Sequence, residues 1–185
     1  MTRLLIVCLL CTPVLAWWLY KPVRILAPGL VPGVTCVDAT FCLDDTARLP
    51  EAAALYERAA DYVSAVAGTI KHRPRAVFCA TETCFRAFGF EHSKARAVGV
   101  SGIVISPRGW DRFYLRHELI HHLQAERLGV IAQLRAPAWF TEGMAYALSG
   151  TNAELEEPWN SYRAEFDAWY ERIGSGALWT AARVL

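Results

Sequence analysis

One short stretch of this chain, His117-Glu118-Leu119-Ile120-His121, has the residue types and spacing that could do chemistry. On a helix, residues four apart share a face, so both imidazoles can reach one Zn²⁺. Glu118 is rotated away from that pair. From there its carboxylate reaches a water on the ion rather than the ion itself. Such a water has its pKa drawn down towards ~7, so a neighbouring carboxylate can take its proton and deliver it to a leaving amine. The other histidines offer no second site. His122 points elsewhere on the same helix and reads as a surface or packing residue. His72 and His92 sit in loop-like contexts, have no partner at ligand spacing, and read as solvent-exposed.

A catalytic ion needs a third protein ligand and an open fourth position. PAWFTEGMAYALSG, residues 137–150, is strongly apolar and contains a single carboxylate, Glu142. Burying an unpaired charge there is costly, and a metal ion would supply the partner.

HELIH followed by WFTEGMA resembles the gluzincin branch of the zincin metallopeptidases, over residues 97–150. The resemblance implies a zincin-like α+β fold, with a small twisted sheet, an active-site helix and a glutamate helix crossing beneath it. It also implies one Zn²⁺ held by His117, His121 and Glu142, with Glu118 as general base in peptide-bond hydrolysis. In that family an edge strand before the active-site helix pairs with an extended peptide or protein substrate. Residues 97–106 stand in that place, which makes Gly102, Ile103 and Val104 the expected substrate-binding residues. The chain departs from the thermolysin-type pattern at Tyr146, where an acidic residue would hold a histidine. Tyr162, Arg163, Tyr146 and His122 are candidates for stabilising the oxyanion, with Tyr162 favoured because it follows Glu142 on the next helix. Two other readings stand beside hydrolysis of peptides: a non-catalytic peptide-binding module on the same scaffold, and a metal-dependent hydrolase of other amides.

The elements that must position these groups are partly readable. Apolar residues recur at helical spacing over 50–67, with Pro50 suited to the first turn and Gly68 as a stop. RAVFC, 75–79, is β-rich, and Thr81 caps a brief helix to Phe88. AVGVSGIVIS, 97–106, reads as one strand interrupted by two glycines. Asp111 caps the motif helix, which Gly129 ends. Residues 134–136 read as a connector. Pro137 opens the Glu142 helix, and a last helix covers 158–172.

Composition bounds the rest. Hydrophobic residues make up 54% of the 185, enough for a real core. The formal net charge is +1 and no basic run exists, which argues against a nucleic-acid partner. Leu4 to Tyr20 carries no charge, and Trp17, Trp18 and Tyr20 fall where an interfacial belt would lie. Residues 1–20 are therefore expected to be a transmembrane signal anchor, with a cleaved signal peptide as the rival. Residues 21–50, rich in proline and glycine, read as a lead-in, and 51–185 as the metallopeptidase domain. Cys36, Cys42, Cys79 and Cys84 permit three connectivities, of which Cys36–Cys42 and Cys79–Cys84 is the obvious one. A four-thiolate zinc site is the alternative. Disulfides imply an oxidising compartment, hence a periplasmic or extracellular catalytic domain.

Overall fold

The computed structural model describes residues 17–151 and 154–185. The apolar period becomes helix α1 (Leu49–Val66), with Pro50 in its first turn and Leu55, Tyr56, Ala59 and Val63 buried along one face. Five short strands follow the β-branched runs: β1 (Thr35–Cys36), β2 (Phe41–Leu43), β3 (Ala76–Phe78), β4 (Ala95–Val98) and β5 (Gly102–Ile105). They make one mixed sheet in the order β1-β2-β3-β5-β4, parallel at its centre and antiparallel at both ends. The architecture is α+β.

Successive residues of a strand face opposite ways, and here that divides the interior in two. Phe41, Leu43, Phe78, Ile103 and Ile105 point into the main core, against α1 and the helices that follow β5. Cys42, Val77 and Val104 point into a smaller core closed by Ile25, Val31, Phe85 and Phe88. Thr81 caps α2 (Glu82–Ala87) by accepting the Cys84 N–H. The long helix α3 (Arg112–Leu128) is capped by Asp111, which accepts the Phe113 N–H at 2.7 Å, and stops at Gly129. Beyond it lie α4 (Val130–Arg135), α5 (Ala138–Leu148), α6 (Trp159–Ile173) and α7 (Leu178–Ala182).

Four expectations need correcting. Residues 97–106 are not one strand: they hold the end of β4, a turn and β5. Gly99, at φ 52°, turns the chain, and the Ser101 N–H closes the turn on the Val98 carbonyl. Residues 21–50 are more than a lead-in, since they supply β1 and β2 and bury Ile25 and Val31 completely or nearly so. The connector before Pro137 is largely helical, as α4. The transmembrane segment is not upheld either. Residues 1–16 lie outside the described residues, and 17–19 are helical and followed by a 3₁₀ turn (Lys21–Leu26) with Pro22 in its first turn. Among the described residues no helix is long and apolar enough to cross a membrane. Both disulfides are present, Cys36–Cys42 directly across the β1/β2 pair and Cys79–Cys84 from the end of β3 to α2.

Candidate metal centre

Leu115, Leu119, Ile120 and Leu123 anchor α3 in the main core, which turns His117, Glu118 and His121 towards the cleft. Glu142 arrives from α5. That helix packs closely on α6, because Gly143 has no Cβ; one there would collide with the Tyr162 carbonyl. Phe140 locks the same pair by packing on Phe166 and Trp169.

The three side chains meet. His117 Nε2 and His121 Nε2 are 3.1 Å apart, and Glu142 Oε2 lies 3.5 and 3.6 Å from them. A small tetrahedral ion with bonds of ~2.0–2.1 Å sets its ligand atoms about 3.3–3.4 Å apart, so the triangle fits. These residues could hold a metal ion.

The protonation pattern supports the same fit. Gln124 is fully buried, and its Nε2 donates to the Thr141 carbonyl at 2.9 Å, which leaves its Oε1 facing His121 Nδ1 at 3.0 Å. An amide oxygen only accepts, so Nδ1 must carry the proton, and in neutral His121 Nε2 keeps its lone pair for the ion. Gln133 of α4 donates to the His121 carbonyl at 2.7 Å and to Gln124 Oε1 at 3.3 Å. His117 is held differently. Its Nδ1 is buried without a hydrogen-bond partner among the described residues, and its ring packs against Tyr146, with centroids 4.5 Å apart, and Phe113.

Charge sharpens the picture. Burial opposes ionisation of Glu142, but the two imidazoles, 3.5 and 3.6 Å away, more than offset it when protonated and hold the carboxyl well below its usual range. For His121, burial disfavours the charged form, yet Glu142, Glu118 and Gln124 together raise its pKa above the ordinary value. Burial, with the Glu142 and Glu118 charges, pushes the Tyr146 phenol up to about 12, so it stays a hydrogen-bond donor at neutral pH.

The cleft extends to both sides of the metal centre. One half has a volume of about 730 Å³ between β4, α4 and α6, and the other about 550 Å³ between β4, α3 and Tyr146. Glu118 borders both halves, and its Oε2 accepts the Ala97 N–H of β4 at 2.6 Å. Tyr162 lines the larger half and Tyr146 the smaller. Gly102, Ile103 and Val104 do not line either. They belong to β5, which is paired on both sides, and the close approach that Gly102 permits is taken by the Arg75 carbonyl of this chain. The sheet edge beside the cleft belongs to β4. His122 is buried, bonded to the His72 carbonyl at 2.8 Å, with burial pushing its pKa down. The His72 side chain and His92 are exposed.

Protein-family models, curated proteins and solved structures were each compared with the chain. None matches. The candidate site must therefore be read from its own geometry. On that geometry, Gln124 and Gln133 are the site residues that sequence reasoning passed over. The available signal was Gln124 three residues after His121, on the same helical face.

Proposed function

We propose that this protein hydrolyses peptide bonds as a zinc metallopeptidase of gluzincin type, with Glu118 as general base. The observation that carries the reading is the convergence of three ligand atoms within 3.6 Å, beside Glu118, at the free edge of a sheet. Two nitrogens and one carboxylate oxygen in a tetrahedral array suit zinc and leave a position open. When bound there, zinc supplies Lewis-acid activation of a water and of the scissile carbonyl.

The chain's own residues do the rest. Glu118 is oriented through Oε2 by the Ala97 amide, which leaves Oε1 to take a proton from the attacking water and return it to the departing amine. Because Lys94 and Val98 pair with β5, the main-chain groups of Ala95 and the Ala97 carbonyl face outward. An extended peptide can add to that edge, which moves the expected substrate contact from 102–104 to 95–97. Tyr162 and Tyr146, one on each wall, are the candidate donors to the carbonyl oxygen. The two disulfides suit an oxidising, extracytoplasmic compartment.

The test is metal content together with proteolysis. Purified protein should carry one zinc per chain and cut a denatured protein. Glu118→Gln should keep the metal and lose roughly 10²–10⁴-fold in rate. A protein that binds no metal, or a Glu118→Gln variant as active as wild type, would end the proposal.

A further inference from the structure

Outside the metal centre, the cleft walls carry charge of one sign. Neither half has an Asp or Glu among its lining residues except Glu118 and Glu142, while Arg96 borders both halves and Lys94 the smaller one. His92 also lines the smaller half, exposed and 3.9 Å from Glu91. Several other arginines are engaged: Arg24 and Arg75 hold carbonyls, and Arg48, Arg73 and Arg108 hold carboxylates. The side chains of Arg96 and Lys94 have no hydrogen-bond or ion-pair partner among the described residues.

Their placement on the strand is regular. The Lys94 carbonyl accepts the Ser106 N–H at 2.9 Å, which extends the β4/β5 pairing by one residue. Lys94 and Arg96 therefore leave the edge strand on the same side, roughly 7 Å apart, while Ala95 between them points into the main core. With a divalent ion in place, Glu118 and Glu142 balance its charge, and the two side chains leave the cleft positive.

We infer that the cleft selects a substrate with a carboxylate near the bond to be cut, read by Arg96 and supported by Lys94. This rests on the peptidase reading of the same site. The planar guanidinium matches a carboxylate in two-pronged fashion, and a cleft of one sign focuses the field on an incoming anion. The carboxylate has two sources, an acidic side chain or the free C-terminus of the peptide.

The experiment uses a neutral, amidated, fluorescently labelled decapeptide. Beside it are versions with one Glu at each successive position and a version with a free C-terminus. Binding is measured to zinc-loaded Glu118→Gln protein, and hydrolysis with wild type. At least one acidic version should bind about five- to tenfold tighter than the neutral peptide at low salt. That ratio should fall to about one in the Glu118→Gln/Arg96→Gln double variant, be reduced by adding Lys94→Gln instead, and shrink in ~0.5 M salt as screening tightens. Preference for an internal Glu names the side chain as the source; preference for the free end names the C-terminus. Equal binding of all versions, or a preference that survives Arg96→Gln, overturns the inference. Equal hydrolysis of every version would sink this selectivity and keep the peptidase. Arg96-dependent binding without any hydrolysis would do the reverse.

Discussion

His117 and His121 reach the same point from successive turns of α3, but their supports are opposites. His121 is braced by polar groups: Gln124 fixes its Nδ1, Gln133 holds its carbonyl, and the same Gln124 grips α5 at Thr141, next to Glu142. His117 is held by rings, with Tyr146 and Phe113 against its faces and edges and no partner for Nδ1 among the described residues. Polar bracing fixes a tautomer and ties one ligand to the helix that carries another. Ring packing fixes position and leaves the tautomer unspecified. His121 is thus the side chain that organises the candidate site, and His117 the one that completes it.

The most severe way to break this comparison is to remove what both histidines share. Gly143→Ala would drive a Cβ into the Tyr162 backbone, so α5 must shift from α6 and carry Glu142 with it. The clash is with main chain rather than a flexible tip, which places the cost near the top of the overpacking range, about 3 kcal/mol. Thermal unfolding should fall by roughly 6–12 °C, with metal affinity lost alongside. Gly176→Ala is the control, since a Cβ there meets nothing within 4 Å. Equal melting points for the two variants would show that the α5/α6 contact does not set the ligand geometry.

A finer cut separates the two histidines. Gln124→Ala should weaken metal binding about 10- to 100-fold, measured by competition with a chromophoric chelator. Tyr146→Phe keeps the ring against His117 and should change affinity by less than about threefold. Gln124→Glu is the informative rescue: it still accepts from His121 Nδ1 but cannot donate to the Thr141 carbonyl. If it restores affinity, the tautomer is what matters. If it fails as Gln124→Ala does, the link to α5 is. Equal losses for Gln124→Ala and Tyr146→Phe would erase the asymmetry.

The same contrast separates what could be read in the sequence from what could not. The two histidines, Glu118 and Glu142 were visible because i,i+4 spacing and a lone carboxylate in an apolar helix are local facts. Asp111 and Thr81 as caps were visible for the same reason. Gln124 was not, because a helical glutamine ordinarily faces water, and only the approach of Thr141 from another helix makes it a buried bracket. The sheet edge was not legible because apolar alternation over 97–106 fits one strand or a hairpin equally well. Which strand lies at the edge depends on the sheet order, which pairs β5 on both sides. β1 and β2 escaped notice since strands of two and three residues have no period to detect. The proposed ligands and base were legible from their spacing alone, whereas the polar bracket on His121 belongs to this chain's own packing.

The subtlest consequence concerns protons. Burial disfavours a charge on His121, but Glu142, Glu118 and Gln124 more than offset this, so its folded pKa lies above the unfolded value of ~6.5. Glu142 is shifted down by the two imidazoles. In the metal-free protein the stability from raised His121 is fully present below pH ~6.5 and is lost as pH rises through the folded value. The contribution of Glu142 is present above pH ~4.5 and is lost as pH falls through its depressed value. Zinc must displace the proton on His121, so its affinity should weaken by up to about tenfold per pH unit below that raised pKa and level off above it. The gain in melting temperature on adding zinc should therefore grow from pH 5.5 to 8. Gln124→Ala removes one of the groups that raise His121, and the same curve should move to lower pH. A zinc-induced gain that is flat across this range, or an unmoved curve in Gln124→Ala, would mean that His121 is not the ligand whose proton the metal replaces.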